Sequence, residues 1–280
     1  MVDLTAIILT KNEDKNIEDC LKSIKGFAKR VVVVDSGSTD NTVELAKKHG
    51  ADVYYNEFDY YAQQFNWGIY NTNITTDWIL RLDADERFTP ELCEEVEYLL
   101  DKHKDDSING ITMEAWLYFM GKKLRYGASK KRKIMIFRRG FGKIEDRKRD
   151  AHTILFEGDS VVTKNRFIHY DFKDINHFIN KYNYYATRET EDYLDYLKGQ
   201  SQDIETDKKI AKTRKKKFNI YYKAPMFLRA KLWYIYNYYF RLGFMDGREG
   251  QIYHWLECHW YRYLVDVKIR EKMNVIDEDQ

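Results

Sequence analysis

Asp83-Ala84-Asp85 sets two carboxylates one residue apart, directly after the apolar run Trp78 to Leu82. Hard oxygens on a turn leaving a strand suit Mg²⁺ or Mn²⁺, either shared by the two acids or divided with a ligand's phosphates. A divalent ion there would stabilise the charge that develops on a departing diphosphate. Thr10-Lys11-Asn12-Glu13 follows the run Thr5 to Thr10, and Asp35-Ser36-Gly37-Ser38 follows Val31 to Val34. Asp35 can accept a hydrogen bond from a nucleobase or a ribose hydroxyl, with Thr10 and Asn12 lining the other side of the base. A lone Asp-x-Asp is most often a surface turn or a helix cap. Three polar clusters at three strand ends predict one shared site.

The elements that position these clusters alternate. Thr5 to Thr10 reads as a buried strand, and Asp14 opens a helix with Ile17, Cys20, Leu21 and Ile24 on its apolar face. Val31 to Val34 suits a strand buried on both faces. Ser38-Thr39-Asp40 caps a helix through Val43, Leu45 and Ala46, and Asp52 to Tyr55 is a short strand. Phe58, Ala62, Phe65 and Ile69 recur at helical spacing; Trp78 to Leu82 is a strand, and Thr89-Pro90 starts a helix. This alternation predicts an α/β fold with a mostly parallel sheet and flanking helices, whose ligands bind beyond the carboxyl ends of the strands.

Beyond residue 108 the pattern changes. Ile111 to Phe119 and Ile134 to Arg138 read as strands, and Ile154 to Phe156 with Val161 to Val162 as a further short strand pair. From His177 the chain turns helical, with Phe178, Tyr182, Tyr185, Glu189, Tyr193 and Leu197 on one face. The expected organisation is a ligand-binding half at 1–108, further strands and loops of the same domain at 109–176, and a helical, aromatic and basic region at 177–280.

A composition of 44% hydrophobic and 33% charged residues in 280 describes a folded protein, and a net charge of +2 offers no basic excess for nucleic acid. Cys20, Cys93 and Cys258 match neither a metal knuckle nor a disulfide framework, which suits a reducing compartment. There is no signal-peptide pattern and no window apolar enough to span a membrane. The expected location is cytoplasmic, or peripheral on the inner face of the cell membrane.

TAIILTKNED, VVVVDSGSTDNT, FDYYAQQFNWGI and DWILRLDADE, within residues 5–100, resemble the donor half of the inverting glycosyltransferases of family 2, which share the Rossmann-like GT-A fold. The likeness is to the bacterial branch that builds lipopolysaccharide core, capsule and related glycans, and GFMDGREG at Gly243 to Gly250 looks like that branch's C-terminus. The resemblance implies a hexosyltransferase-type enzyme using a nucleotide-diphosphate sugar and Mn²⁺ or Mg²⁺. It implies donor contacts from Thr10, Asn12, Glu13, Asp35, Ser36, Gln64, Asn66, Arg81 and Asp83, with metal at Asp83 and Asp85. The acceptor would be a lipid-linked or surface glycan.

Inverting transfer needs a base to take the acceptor's proton. In the family that base is often a Glu directly after a His. Here the text is Asp150-Ala151-His152-Thr153, so Thr stands where the Glu would be. Asp150 is the substitute candidate, with Asp146 and Glu145 behind it, and His152 could bind phosphate or orient a carboxylate. Met135 stands where relatives tend to carry Arg, which would move a phosphate contact to Lys133, Arg138 or Arg139.

Aromatics crowd the segment from Phe218 to Tyr263, and Lys212 to Lys217 is basic apart from Thr213. Rings with polar ends beside cations suit an anionic membrane surface. The other reading of Trp233, Tyr236, Phe240 and Phe244 is a packed core. Sugar nucleotidyltransferases expect a Gly-rich loop after the first strand, and dehalogenase-type phosphatases expect their Asp-x-Asp there; this chain has neither. The remaining alternative is a non-catalytic, degenerate transferase domain that binds lipid or a partner protein.

Overall fold

A computed structural model describes residues 1–129, 132–146, 151–170, 173–199 and 217–278. The chain forms two compact units: Met1–Trp116 with Lys131–Tyr170, and Leu117–Lys130 with Asp171–Gln280.

The first unit opens with β1 (Val2–Thr10), α1 (Ile17–Ser23), β2 (Ala28–Asp35), α2 (Thr42–Lys48), β3 (Asp52–Tyr55), α3 (Tyr61–Asn71) and β4 (Trp78–Asp83). It continues through β5 (Glu86–Arg87), α4 (Pro90–Lys102), β6 (Ile108–Phe119), β8 (Arg132–Arg138), β9 (Gly142–Ile144), β10 (Thr153–Leu155), β11 (Asp159–Val162) and β12 (Phe167–Tyr170); β7 is the short Lys122–Leu124. The sheet runs β3-β2-β1-β4-β8-β6-β12-β5. Pairing from β3 to β4 is parallel, and β8 enters antiparallel to both β4 and β6. The expected parallel run therefore holds for four strands before the sheet turns mixed.

Side-chain alternation along β1 shows why both faces need cover. Ala6 and Ile8 pack with Cys20 and Leu21 of α1 and Leu92 and Val96 of α4, whereas Ile7 packs with Ala62 and Phe65 of α3. Thr89 caps α4 by accepting the Leu92 N–H at 3.2 Å, with Pro90 beginning the first turn.

The expected pairing of Ile154–Phe156 with Val161–Val162 is not what forms. β10 pairs antiparallel with β9, and β11 runs parallel to the start of β6. Short apolar runs advertise strands but not partners.

In the second unit β7 pairs with Leu117–Phe119, and the helices are α5 (Ile175–Leu197), α6 (Leu228–Ile235), α7 (Gly247–His254) and α8 (Tyr261–Glu278). Phe119, Phe178, Tyr182, Tyr253, Tyr261 and Ile269 share its core. Tyr185 and Leu197 of the expected apolar face are exposed, and Ala186 is buried in their place. Glu189, the polar interruption on that face, is a hub: it accepts from Tyr222 Oη at 2.7 Å, Tyr261 Oη at 2.5 Å and Arg262 Nη1 at 2.8 Å. Asp266 accepts from Arg229 Nε at 2.8 Å and from the Phe227 N–H at 2.7 Å, and both ion-pair side chains are buried.

The GFMDGREG segment serves this unit as a staple. Asp246 accepts the N–H groups of Arg125 and Tyr126 at 3.0 Å, and a Cβ on Gly250 would lie 2.4 Å from the Asp246 Cβ. Gly127 has φ +64°, and a Cβ there would lie 1.8 Å from His254 Nε2. His254 accepts the Ala128 N–H at Nε2 (3.1 Å) and donates from Nδ1 to the Gly250 carbonyl (2.7 Å). Lys212 to Lys216 of the basic run lie outside the described residues.

Burial holds His254 below the ordinary histidine pKa, with hydrogen bonding and Asp246 opposing it. The unfolded chain therefore takes up this proton at a higher pH than the native one, so stability is lost as pH falls through about 6.5 toward the native value. Thermal unfolding of the wild type should show that loss between roughly pH 7 and 5, and His254→Gln should lack this component of the slope.

Candidate functional site

The register of β1 brings the three polar clusters together. Thr10 lies opposite Asp35 in the β1–β2 pair, and Leu9 lies opposite Asp83 in the β1–β4 pair. The ends of the first, second and fourth strands therefore stop side by side.

Asp35 organises the first part of the site. Its Oδ1 accepts from Thr10 Oγ1 at 2.8 Å and Ser38 Oγ at 2.6 Å, and its Oδ2 accepts the N–H groups of Gly37 and Ser38, each at 2.8 Å. Only 4% of Asp35 is exposed, so these contacts shape the loop around it. Asn12 adopts φ +56°, and its Oδ1 accepts the Thr39 N–H at 2.8 Å. Lys11 Nζ donates to the carbonyls of Ser36 and Gly37 at 2.7 Å. Glu13 accepts from Asn16 Nδ2 at 2.9 Å. Gln64 is buried, not solvent-facing, and donates to Ser36 Oγ and the Asn56 carbonyl at 3.0 Å.

The acidic turn forms the second part. Asp83 Oδ1 accepts from Tyr61 Oη at 2.7 Å and Oδ2 from Lys133 Nζ at 3.0 Å. The same ammonium lies 2.7 Å from Glu86 Oε1, and Glu86 Oε2 accepts the Asp83 N–H at 3.0 Å. Burial opposes the Asp83 charge, but Lys133 and Arg81 outweigh it and hold this carboxyl well below the usual range. Burial pushes Glu86 up, with Lys133 working against the rise. Burial also works against the Lys133 charge, and Asp83 and Glu86 overcome it, so the ammonium is retained.

Asp85 faces elsewhere, with Oδ2 3.3 Å from His169 Nε2. This pair is 19% and 12% exposed, a sheltered carboxylate beside an imidazole. The carboxylate suits Mn²⁺ or Mg²⁺, and the imidazole nitrogen favours Mn²⁺ of the two. Among the described residues no three His, Cys, Asp or Glu side chains converge on one point. A cation on Asp85 and His169 would thus complete its shell with a ligand's phosphates and water, which is how Mg²⁺ commonly binds. Asp83 offers less, since Tyr61 and Lys133 already occupy both its oxygens.

Arg81 neither pairs directly with Glu86 nor stands alone. Its Nε donates to Tyr61 Oη at 2.8 Å, its guanidinium stacks 4.5 Å from the Tyr61 ring centre, and Nη1 approaches the Ala151 carbonyl (3.4 Å) and Thr153 Oγ1 (3.5 Å). Asn66 ties α3 to β9, donating to the Ile144 carbonyl at 2.8 Å and accepting the Ile144 N–H at 3.0 Å. Met135 is wholly buried in the core.

Of the three candidate cations on and just after β8, Lys133 alone reaches the acidic turn. Arg138 lies opposite Trp78, at the start of β4, and Arg139 donates to the Thr76 carbonyl. Because β8 runs antiparallel, five residues carry Arg138 roughly 17 Å from Lys133, toward the wrong end of the strands.

Among the candidate bases, Glu145 is 2% exposed and accepts both the His152 N–H (2.8 Å) and His152 Nδ1 (3.1 Å). Asp146 is exposed and accepts from Tyr60 Oη, a contact that pushes the Tyr60 hydroxyl up to about 12. Thr153 is buried and donates to the Ile134 carbonyl at 2.9 Å. Asp150 lies outside the described residues. Tyr61 and Glu86 lie within FDYYAQQFNWGI and DWILRLDADE but have no role assigned there, and His169 lies in no motif; the strand end that holds His169 meets the acidic turn because β12 pairs with β5, His169 opposite Glu86.

The sequence model of glycosyl transferase family 2 matches residues 5–167 of this chain. The chain belongs to that family, and with it to the glycosyltransferases that draw on a nucleotide-sugar donor. An uncharacterized glycosyltransferase of Rickettsia typhi is 28% identical over 203 residues, 69% of each chain. One of Rickettsia bellii is 41% identical over 103 residues, 37% of this chain and 34% of that protein. Among solved structures, glucosyl-3-phosphoglycerate synthase from Mycobacterium tuberculosis aligns at 20% identity over 41% of this chain and 44% of its own, with a TM-score of 0.33. The chain thus spans less than half the length of that solved structure.

Replacing Lys133 by Met leaves the buried Glu86 without its cation. Lys133→Met should lower stability by about 3 kcal/mol in denaturant unfolding.

Proposed function

We propose that the chain is an inverting, metal-dependent transferase that moves a sugar from a nucleoside-diphosphate donor to a saccharide acceptor, lipid-linked or part of a lipopolysaccharide- or capsule-type glycan. The observation carrying this reading is the β1 register, which sets Thr10, Asp35 and Asp83 at adjoining strand ends beside the Asp85–His169 pair. The Asp35 loop receives the nucleoside, with Thr10 and Asn12 shaping its wall. Asp85 and His169 hold Mn²⁺ or Mg²⁺, which when bound stabilises negative charge on the diphosphate. Asp83 keeps Tyr61 and Lys133 in place beside that diphosphate. The acceptor class rests on the sequence resemblance.

Release of nucleoside diphosphate from UDP-, GDP-, ADP- and dTDP-sugars with Mn²⁺ tests the reading. The wild type should turn over at least one of them, and Asp85→Asn and His169→Ala should each slow it by roughly 10²-fold. Unchanged rates in both variants would remove the metal assignment.

A second part of the proposal concerns location. No helix among the described residues is long and apolar enough to cross a membrane. In the second unit, however, Leu232, Tyr236, Tyr239 and Phe240 are exposed along one helical stretch, Phe240 at 76%, with Lys231 and Arg241 beside them in sequence. Rings with polar ends next to cations suit the interface of an anionic bilayer. Co-sedimentation with phosphatidylglycerol vesicles should weaken in Tyr236→Glu/Phe240→Glu and at high salt; equal pelleting of variant and wild type would count against docking through this face.

A further inference from the structure

From the transfer chemistry and the geometry around β9 and β10 we infer that His152 is the general base of the reaction, with Glu145 as its positioning residue. The inference rests on the reading of the chain as an inverting transferase. In that reaction the acceptor hydroxyl oxygen bonds to the anomeric carbon while the bond from that carbon to the diphosphate oxygen breaks. The bonding pair leaves with the nucleoside diphosphate, and the hydroxyl proton must go to a base on the acceptor side.

In this reading the β9–β10 hairpin lies on that side. Asn66 fixes Ile144 through two hydrogen bonds, and Arg81, itself held by Tyr61 against Asp83, reaches the residues on either side of His152. The residues flanking His152 are therefore tied into the same network as the acidic turn.

The dyad has the arrangement a base requires. Glu145 is nearly inaccessible, whereas the His152 side chain is 42% exposed. A carboxylate only accepts, so the bond at 3.1 Å puts the imidazole proton on Nδ1 and the basic lone pair on Nε2. The second Glu145 contact, from the His152 N–H at 2.8 Å, fixes the backbone that carries the ring. When Nε2 takes a proton, the buried carboxylate stabilises the imidazolium.

Among the described residues the neighbouring candidates are engaged elsewhere, and Asp150 lies outside them. Thr153 is buried, donates to a carbonyl, and a hydroxyl is no base near neutral pH. Asp146 is engaged by Tyr60 Oη. Among the described residues Glu145 touches His152 and Arg81 reaches the carbonyl before it; Lys143 lies opposite Ile154 in the β9–β10 pair, and Asp146, bonded by Tyr60, follows Glu145 in the chain.

The test uses the full chain with Mn²⁺ and whichever sugar nucleotide the wild type turns over, with water or added alcohol as acceptor. The transfer rate should rise with pH as the base gives up its proton. His152→Ala should keep nucleoside-diphosphate binding in calorimetry, lose roughly 10²-fold in rate, lose that rise, and recover part of the rate with added imidazole. Glu145→Gln should move the rise to lower pH, since the neutral amide no longer favours the imidazolium. Intact binding with an unchanged rate and pH profile in His152→Ala overturns the assignment of the base alone. No turnover of any sugar nucleotide by the wild type overturns the transferase reading, and this inference with it.

Discussion

The parallel pairing of β1 on both its edges is the constraint on which the site depends. A parallel ladder with a fixed register makes neighbouring strands end level, and each chain then leaves the sheet on the same side. With Thr10 opposite Asp35 and Leu9 opposite Asp83, polar groups separated by up to 73 residues become neighbours without any one of them reaching far. A slip of one residue would turn every side chain of β1 to the other face and separate its end from its partners. The strong apolar filling on both faces, Ala6 and Ile8 on one and Ile7 on the other, is what holds the register.

Electrostatics then decide what the level ends can do. Asp83 and Glu86 crowd two acids against Lys133, and only an ammonium between them lets both persist in so sheltered a place. With Tyr61, that ammonium occupies the oxygens of Asp83, so the two acids of the Asp-x-Asp turn are not equivalent: one is a scaffold, the other faces an imidazole. The Asp35 loop follows the same logic. A carboxylate with four donors is an anchor for backbone, and the surrounding groups present the ligand-facing surface.

The second unit is built from aromatic rings, and two of the buried tyrosines share one carboxylate. Phe178 and Tyr182 stack at 4.1 Å, while the Tyr222 and Tyr261 hydroxyls converge on Glu189. Pairing lets these two hydroxyls be buried, whereas Tyr221 Oη is buried with no hydrogen-bond partner among the described residues. Of the four rings for which a packed core is the other reading, Tyr236, Phe240 and Phe244 are exposed and Trp233 is half-buried, while Tyr182, Tyr222, Tyr253 and Tyr261 form the core.

By itself the sequence determined the strands and helices of residues 5–100, because apolar periods of two and of three to four residues are local properties, and Thr89-Pro90 or Val31 to Val34 need no distant partner to be read. It also marked the strand ends where polar clusters begin. The tertiary structure alone decided which cation meets the acids, since only the antiparallel entry of β8 sends Lys133 to Asp83 and Arg138 away from it. It alone paired Asp85 with His169, Glu145 with His152, and β10 with β9. The physical reason is the same throughout: hydrogen bonds and ion pairs act over about 3 Å, and contacts that short between residues far apart in the chain are set by strand direction and register, which composition and local spacing do not encode.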